Sequence, residues 1–397
     1  MNETSHRYRQ CKPEHNVHGT LRSAIVCTAL ALLVACQSTL QTADPVACAS
    51  AVSVHAWQRP LIHQGDESIS FDAMMTSLVE TRVVMIGEYH TRLDHHLSQL
   101  EIICRLYESN PNLAIGVEFV QRPFQTALDA HTNGESNTQG LLADTEYFAR
   151  WGYDYRLYAP LIAFAREHAI PIVALNAATE LSAKVSHAGM DSLTAQERTQ
   201  VATTIRPADD DYRQRMKEVF DSHGQSGERN FESFLGVQLL WDETMAETAA
   251  NYLLANPQHR LVIIAGNGHV GYRNAIPARL VDRVSVKTAT IAQVLADETY
   301  DTDYQFESEE LTLPKTGLMG VLLNERGDVI EIGGFSKNSA AKAAGVITGD
   351  VLLSIDGRPI SSYAEVKLTL WPKIPGEEVL VGVERAGEQL TIDLTLR

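Results

Sequence analysis

Short apolar runs alternate with helical patterns between residues 75 and 300, and this alternation constrains the fold more than any other feature. Four of the runs are continuous and rich in β-branched residues, as is typical of strands buried on both faces. They are residues 82–86, 113–117, 170–175 and 260–265. Because strands that alternate with helices favour parallel pairing, the pattern predicts an α/β domain whose largely parallel sheet is flanked by helices.

Apolar residues spaced three and four positions apart predict helices between these strands. One helix follows the first strand and carries Leu97, Leu100, Ile103, Cys104 and Tyr107 on its apolar face. Asp94 is its expected N-cap. Another has Pro160 in its first turn, followed by apolar residues at 161, 162 and 165. The polar stretch 194–230 predicts a helical insertion or lid with a glycine-rich break and a solvated face. A further strand is expected around Tyr304.

Polar side chains stand at the carboxyl end of each predicted strand. The four ends supply, in chain order, Glu88 and His90, Glu118 and Arg122, Asn176, and Asn267 and His269. Ligands of parallel sheets bind outside the carboxyl ends of the strands, because loops and helix N-termini converge there. The set as a whole predicts a functional pocket, although any one member could simply cap the following helix.

The chemistry of this set leaves two alternatives open. Two histidines and two carboxylates can hold a divalent metal such as Zn, Mn or Fe, or can act as general acid and base. The residues concerned are Glu88, His90, Glu118 and His269. His95 and His96 are expected in the first turn of the following helix, where one of them would face solvent.

The pattern changes after residue 300, and we place a domain boundary near Glu310. Residues 311–397 contain strand-like segments around one short helix, with Ser339 as N-cap, Gly345 as its end, and a tight turn at Asp356 and Gly357. The segments GLMGV at 317–321, SAAKAAGVITGDVLLSIDGRPI at 339–360 and PGEEVLVGVERAG at 375–387 resemble a bacterial PDZ domain.

The PDZ resemblance implies a small β-rich domain that binds the C-terminal peptide of an envelope protein. A glycine-rich loop before an edge strand exposes amides to a carboxylate, while the edge accepts the ligand as an added strand. The loop residues are Gly317, Leu318, Met319, Gly320 and Val321. A purely structural or dimerising role is the alternative.

The N-terminus predicts export. A basic segment precedes the apolar run at 24–35, which is too short to span a membrane and is typical of a signal peptide over residues 1–35. LVAC at 33–36 resembles a bacterial lipobox, which implies an acylated Cys36, a tether over 36–60 and a lipid-anchored protein of the outer membrane facing the periplasm. An ordinary cleaved signal is the alternative. With Cys36 acylated, only Cys48 and Cys104 could pair, and Cys104 is more simply a core residue.

Composition argues against one class of partner. The chain has 33 basic and 50 acidic residues and a formal net charge of -17. Because nucleic-acid binding needs clusters of Lys and Arg, we expect no nucleic-acid partner.

Four motifs together resemble the ChaN family of haem-binding lipoproteins, in the superfamily that includes the TIKI proteases and erythromycin-esterase-like proteins. They are GEYHTRLDHHLSQ, GVEFVQRPFQTALDAH, WGYDYRLYAPLIAFA and AGNGHVGYRNAIPARL. The resemblance covers about residues 75–310, within a domain over 61–310. It implies a homodimer that holds haem between subunits, with iron ligated by a tyrosine, in iron acquisition at the cell envelope.

The resemblance also implies which residues form the site, because they occupy the positions of the family motifs. Glu88, His90, Glu118, Arg122 and His269 fall on the polar site of the superfamily. The tyrosine ligand is expected in the aromatic segment WGYDYRLY at 151–158. Its candidates are Tyr153, Tyr155 and Tyr158. Tyrosinate oxygen suits ferric haem. Phe148, Trp151 and Phe164 would cover a porphyrin face or pack the core.

Two departures from the family pattern bear on the site. Thr91 stands where an Asp often follows the histidine, which leaves the partner of His90 undefined. The segment NAATE at 176–180 removes a basic contact for a propionate. Other candidates for that contact are Arg92, Arg122, Arg150 and Arg273.

The sequence thus supports two hypotheses of function. The first is a lipid-anchored haem or iron-complex carrier with a PDZ module. The second is a metal-dependent peptidase or esterase of the cell envelope that uses the Glu and His site. A domain that merely supports the PDZ module is the least favoured.

Overall fold

The computed structural model describes residues 57–222, 230–295 and 298–397. All of them belong to one compact unit, which spans residues 43–397. The predicted signal peptide, Cys36, Cys48 and most of the tether lie outside the described residues. Every helix within the described ranges falls short of the length and apolar character needed to cross a membrane.

An eight-stranded sheet forms the first domain, with strand order β2-β1-β8-β7-β3-β6-β4-β5. Its strands are β1 (Leu61–Gln64), β2 (Glu67–Ile69), β3 (Val83–Glu88), β4 (Leu113–Gln121), β5 (Ile172–Asn176), β6 (Arg260–Gly266), β7 (Thr288–Val294) and β8 (Tyr304–Glu307). The six strands from β3 to β8 pair in parallel, and β1 joins β8 and β2 antiparallel. The four predicted strands are confirmed as β3, β4, β5 and β6.

Helices cover both faces of this sheet. They are α1 (Phe71–Leu78), α2 (Leu93–Ser109), α3 (Gln125–Thr132), α4 (Thr138–Asp144), α5 (Tyr147–Arg150), α6 (Ala159–Glu167), α7 (Thr179–Ala188), α8 (Ala195–Arg198), α9 (Asp210–Ser222), α10 (Phe231–Ala255), α11 (Asn267–Val270) and α12 (Ile276–Val281). In β3, Val84 and Ile86 enter one core and Val83 and Met85 the other. The continuous apolar runs therefore reflect burial on both faces.

Two sequence expectations about α2 are wrong. Its N-cap is Arg92, without a side-chain cap, and Asp94 instead uses its carboxylate to bind Arg92 and the backbone amide of Leu311. His95 and His96 are both buried, so neither faces solvent. The carboxylate is drawn inward because Asp94 joins the start of α2 to the chain that follows β8.

The second domain is a separate antiparallel sheet with strand order β14-β13-β11-β10-β9, and β12 pairs with β11. Its strands are β9 (Val321–Arg326), β10 (Val329–Phe335), β11 (Val351–Ile355), β12 (Arg358–Pro359), β13 (Glu378–Arg385) and β14 (Glu388–Thr395). The boundary predicted near Glu310 lies between β8 and β9.

The short helix of this domain is confirmed as α13 (Ala340–Ala343), where the Ser339 side chain accepts from the Lys342 amide. Gly345 and the turn at Asp356 and Gly357 all have positive φ. The expectation of one helix is wrong, since α14 (Tyr363–Leu370) is a second, opened by a capping box between Ser362 and Glu365.

Candidate functional site

Glu88, the last residue of β3, is a buried carboxylate surrounded by donors. Its Oε1 accepts from the Tyr158 hydroxyl at 2.8 Å and lies 2.8 Å from His90 Nδ1. Its Oε2 accepts from Gln99 Nε2 at 2.8 Å and lies 3.3 Å from His96 Nδ1. Three elements therefore converge on one carboxylate, and His90 finds in Glu88 the partner that Thr91 does not supply.

The charges at this position stabilise an ion pair. Burial opposes the ionisation of Glu88, but His96 and His90 outweigh it and hold the pKa of Glu88 well below its ordinary value. Burial also opposes the charging of His90, yet its hydrogen bond to Glu88 and the charges of Glu118 and Glu88 raise the pKa of His90. The geometry therefore stabilises an imidazolium next to a carboxylate.

His269 forms a second pair on the same rim. Because α11 begins directly after β6, His269 lies in the first turn beyond the strand end. Its Nδ1 is 2.6 Å from Asp242 Oδ1, and its Nε2 is 3.4 Å from Glu118 Oε1. Asp242 also accepts from the Tyr212 hydroxyl at 2.8 Å.

This second pair also favours the protonated histidine. Burial opposes the charge on His269, but Glu118 and Asp242 outweigh it and raise the pKa of His269 to about 9. Glu118 lies where the β4–β5 register shifts between Val117 and Gln121, and its Oε2 accepts from the Gly266 amide at 2.7 Å. The bulge frees Glu118 from strand pairing and lets it face His269.

The two pairs approach each other across Gly266. A Cβ atom at Gly266 would lie 3.0 Å from His90 Cε1 and 3.7 Å from Glu118 Oε2. A side chain at this position would thus be disfavoured by the close approach of the His90 ring rather than by backbone conformation.

Aromatic rings line the outer side of His90. The Trp151 ring meets it edge-on at 4.7 Å between centroids, and the Tyr153 ring lies at 4.9 Å. Trp151 Nε1 donates to the Tyr158 hydroxyl at 3.2 Å. The aromatic segment therefore adjoins the polar site through His90.

The three candidate tyrosines have different environments. Tyr158 is fully buried and bound to Glu88, and Tyr155 is buried with its ring 5.2 Å from that of Trp371. Tyr153 is half-buried, and within the described ranges its hydroxyl has no hydrogen-bond partner. Burial, with Glu118 and Glu88 nearby, raises the pKa of Tyr153. Of the three, Tyr153 is the most exposed, and among the described residues it is the one with a partnerless hydroxyl whose ring lies beside His90.

Several predicted residues do not join the site. Arg122 donates to Thr248 Oγ1 at 2.6 Å and to the Thr244 carbonyl at 2.8 Å, which ties it to α10. Asn176 accepts from the amide of its neighbour Ala177. The other two residues that pack elsewhere are Asn267, whose side chain pairs with the Gln293 backbone, and Phe164, which lies in the core.

The remaining arginines proposed for a propionate are engaged with carboxylates. Arg92 binds Asp94, Arg150 binds Glu146 and Glu180, and Arg273 binds Asp301 and Asp303. A propionate would therefore have to compete with an existing ion pair at each of them.

The predicted metal ligands are divided between the two pairs. In the part of the chain that the structure describes, no three His, Cys, Asp or Glu side chains gather as a metal site requires. Glu88 contacts His90, and Glu118 contacts His269. As it stands, the arrangement suits proton exchange between carboxylate and imidazole better than metal ligation.

Sequence reasoning missed Asp242, Gln99 and Tyr212. The available signal for Asp242 was an acidic pair, Asp242 and Glu243, directly after the apolar run LLW at 239–241. Charged side chains are rarely buried without a partner, so such a pair indicates a buried network. Gln99 and Tyr212 carry no comparable signal.

The predicted peptide loop lies before β9. The Gly317 and Leu318 amides donate to the carbonyls of Lys373 and Arg397. The Met319 and Gly320 amides have no acceptor among the described residues. Gly320 has φ +73°, and a Cβ atom there would lie 2.8 Å from Ser339 Cα. This conformation is strained for other residues, and it leaves two adjacent amides available to a ligand.

Comparison with known proteins gives a family for each domain. The model of the family described as haem-binding uptake, Tiki superfamily, ChaN matches residues 74–280, more than half of the chain. A PDZ domain model matches residues 317–396. A solved structure titled "Cofacial heme binding to ChaN of Campylobacter jejuni" is 18% identical with a TM-score of 0.52, covering 64% of this chain and 98% of that one. At that identity the likeness shows a shared fold.

Curated relatives match over shorter stretches. The periplasmic serine endoprotease DegP of Salmonella typhimurium is 26% identical, over 34% of this chain and 27% of its own length. DegQ of Escherichia coli, a periplasmic pH-dependent serine endoprotease, is 29% identical over 34% of this chain and 28% of its own. The zinc metalloprotease RasP of Shouchella clausii is 42% identical over 15% of this chain and 14% of its own. The chain thus spans about a quarter of the length of the first two.

Three observations agree with one another. They are the α/β sheet with helices on both faces, the family match over its length, and the fold shared with a solved ChaN structure. The chain belongs to the ChaN family of the Tiki superfamily and carries a PDZ domain behind its ChaN-like domain.

Proposed function

We propose that this protein binds haem, or a related iron complex, through its ChaN-like domain, and a protein C-terminus through its PDZ domain. The observation that carries the haem proposal is the position of Tyr153. Its hydroxyl is without a partner in the described ranges, and its ring lies beside His90 and Trp151. The family description supports the same ligand.

The donor set fits haem. Tyr153 offers a hard oxygen ligand, and the Trp151 and His90 rings supply surfaces against which a porphyrin can pack. Bound ferric haem would supply a Lewis-acidic iron that favours the phenolate of Tyr153 over the phenol. Because burial raises the pKa of Tyr153, ligation would release a proton, and hemin affinity should rise with pH.

We further propose that the protein is lipid-anchored at Cys36, faces the periplasm from the outer membrane and takes part in iron acquisition. The support is the lipobox-like LVAC at 33–36 and the word "uptake" in the family description. A pair of subunits that share haem is proposed on the family resemblance. Metabolic labelling with a palmitate analogue should mark the wild type and leave Cys36→Ala unmarked; equal labelling would refute the anchor.

A titration of the purified protein with hemin tests the haem proposal. We expect a saturable change in the Soret absorption that is complete near stoichiometric hemin, and a steeper curve at pH 8.5 than at pH 6.5. Binding that rises without saturation, as with hemin adsorbed to an unrelated acidic protein, would refute the proposal.

One observation favours a second function, an envelope hydrolase. Asp242 holds one nitrogen of His269 while the other faces Glu118, which is an arrangement that can transfer protons. Ester and peptide substrates, offered with and without Zn²⁺ or Mn²⁺, test it. Turnover lost in both His269→Gln and Glu118→Gln would support the hydrolase. Turnover that is absent, or unchanged in these variants, would exclude it.

A further inference from the structure

A cavity of about 330 Å³ lies between the PDZ domain and the ChaN-like domain. Its lining is mostly apolar and comes from both domains. The residues that matter here are Val321 and Leu323, Val366 and Leu370, and Phe148 and Tyr153. The first four belong to the PDZ domain and the last two to the ChaN-like domain.

The PDZ side has the geometry of a strand-accepting groove. β9 is an edge strand, because it pairs with β10 on one side only. Val321 and Leu323 are two positions apart and so share one face of β9. Val366 and Leu370 are four apart and share one face of α14. An extended segment laid along the free edge of β9 would place alternate side chains in this groove.

The carboxylate end of the groove is defined by the loop before β9. The amides of Met319 and Gly320 have no acceptor among the described residues. Gly320 has a positive φ and packs closely against the Ser339 backbone. Two adjacent free amides suit an anionic oxygen, and a terminal carboxylate can reach them at the end of an added strand. A chain end is therefore the occupant that fits both the amides and the strand edge.

Residues 394–397 are engaged within the PDZ domain itself. Leu394 and Leu396 are buried in the PDZ core. Arg397 exchanges backbone hydrogen bonds with Leu318, at 2.9 Å and 3.1 Å. With Arg397 held in this way, residues 394–397 leave the groove open to a ligand.

The opposite wall is fixed to the PDZ domain by polar and aromatic contacts. Lys367 Nζ donates to the Gly152 carbonyl at 3.0 Å, and Gln139 Nε2 donates to the Leu368 carbonyl at 3.1 Å. The Trp371 and Tyr155 rings meet edge-on. These contacts hold the segment 148–154 across from α14.

We propose that the ChaN-like domain forms part of the peptide site, so that both domains contact the ligand. The ligand is a protein C-terminus with an apolar last residue between β9 and α14. An aromatic or aliphatic residue upstream of it packs against Phe148 and Tyr153. The inference rests on the proposed peptide binding and adds the residues outside the PDZ domain that select the partner.

Fluorescence polarisation with the full chain tests this inference. The probe is a fluorescein-labelled decapeptide that ends in Phe-Leu-Val with a free carboxyl group, and its C-terminal amide is the control ligand. We expect Phe148→Ala and Tyr153→Ala each to weaken binding by about 5- to 20-fold, as for the loss of an aromatic contact at an interface. Phe124→Ala is the matched control, because Phe124 is also half-buried in the ChaN-like domain but lies outside this cavity.

The outcomes separate the two levels of the proposal. If neither peptide binds, or the acid and the amide bind equally, peptide binding itself fails and the inference falls with it. If binding needs the carboxylate but Phe148→Ala and Tyr153→Ala match Phe124→Ala, only the composite site is overturned. Photo-crosslinking of the wild-type protein gives a test that does not depend on whether the variants fold. The peptide then carries a photo-crosslinking residue at its phenylalanine position. Crosslinks within residues 148–154 of the wild type support the inference, and crosslinks confined to the PDZ domain refute it.

Discussion

Gly266 shows how a single hydrogen atom in place of a side chain shapes the site. An added Cβ atom would lie 3.0 Å from His90 Cε1 and 3.3 Å from its Nε2, whereas at Gly268 nothing lies within 4 Å. We expect Gly266→Ala to displace His90 from Glu88 and to lower the free energy of unfolding by about 1–2 kcal/mol.

Gly268→Ala is the matched control for this substitution, and we expect it to leave stability unchanged or to raise it by up to about 1 kcal/mol. Urea unfolding of both variants, with NMR titration of the His90 ring, measures the difference. Equal stability of the two, with an unchanged His90 pKa, would show that the close approach is not required.

His269 should make stability depend on pH. Its folded pKa of about 9 lies above the ordinary value of 6.5, so the pair with Asp242 and Glu118 stabilises the fold fully below pH 6.5. This contribution is lost as pH rises through about 9 and corresponds to about 3 kcal/mol at most.

Asp242→Asn should reduce this pH dependence, because one of the two carboxylates that raise the pKa of His269 is then neutral. The free energy of unfolding at pH 6.5 and 9.5 should differ less in Asp242→Asn than in the wild type. Asp72→Asn, at an exposed position, should keep the wild-type difference. The same pH difference in all three proteins would contradict the assignment.

At the residue scale, the sequence predicted positions better than contacts. Glu88, His90, Glu118 and His269 could be found because each terminates or follows an apolar run. Their pairing could not, because it depends on Gly266 and on Asp242 from a helix far along the chain. The choice of Tyr153 over Tyr158 likewise depends on burial, which three nearby tyrosines in one segment do not reveal.

At the scale of elements, Arg260 joins the amino end of β6 to two helix ends. Its guanidinium donates to the Thr81 carbonyl at 3.0 Å, the Leu106 carbonyl at 3.3 Å and Ser109 Oγ at 3.2 Å, and also contacts the Val79 carbonyl. Because helix ends leave carbonyls without partners, this side chain satisfies both α1 and α2.

We expect Arg260→Met to lower the free energy of unfolding by about 2–4 kcal/mol, since it removes the side-chain donor of the Thr81 and Val79 carbonyls. Arg105→Met, which removes a surface ion pair with Asp72, should cost under about 1 kcal/mol. Chemical denaturation of both variants checks the difference. Losses of equal size would mean that Arg260 contributes no more than an exposed arginine.

Helices and strands could be predicted where the sequence signal for them was local. The strands β3 to β6 are continuous apolar runs, and α13 has its cap and its terminal glycine in sequence. β7 was missed because polar residues interrupt the apolar residues of TATIAQV. The side-chain nitrogen of its buried Gln293 donates to backbone carbonyls of other elements, which the sequence does not reveal. Asp94 was misassigned as an N-cap because its partners, Arg92 and the chain after β8, become clear only in the folded protein.

At the scale of the whole molecule, Tyr153 belongs to both proposed sites. It lines the groove beside the PDZ domain, and its ring also contacts His90. Two ligands that use one side chain exclude each other. We therefore expect the Phe-Leu-Val decapeptide to weaken hemin binding about 5-fold or more, and hemin to weaken peptide binding by the same factor.

Hemin titrations with and without the peptide, and the reverse experiment, measure this linkage. The amidated peptide is the control and should leave the hemin affinity unchanged. Independent binding of the two ligands would show that Tyr153 does not serve both sites.

The central claim, that Tyr153 makes this member of the ChaN family a haem-binding protein, is tested most directly by hemin titration of three single variants beside the wild type. Tyr153→Phe removes the hydroxyl of the half-buried tyrosine beside His90, whereas Tyr155→Phe and Tyr158→Phe alter residues that are buried. We predict saturable binding by the wild type, Tyr155→Phe and Tyr158→Phe, and loss of that binding in Tyr153→Phe alone. A Tyr153→Phe variant that binds hemin with the affinity and spectrum of the wild type would contradict the claim.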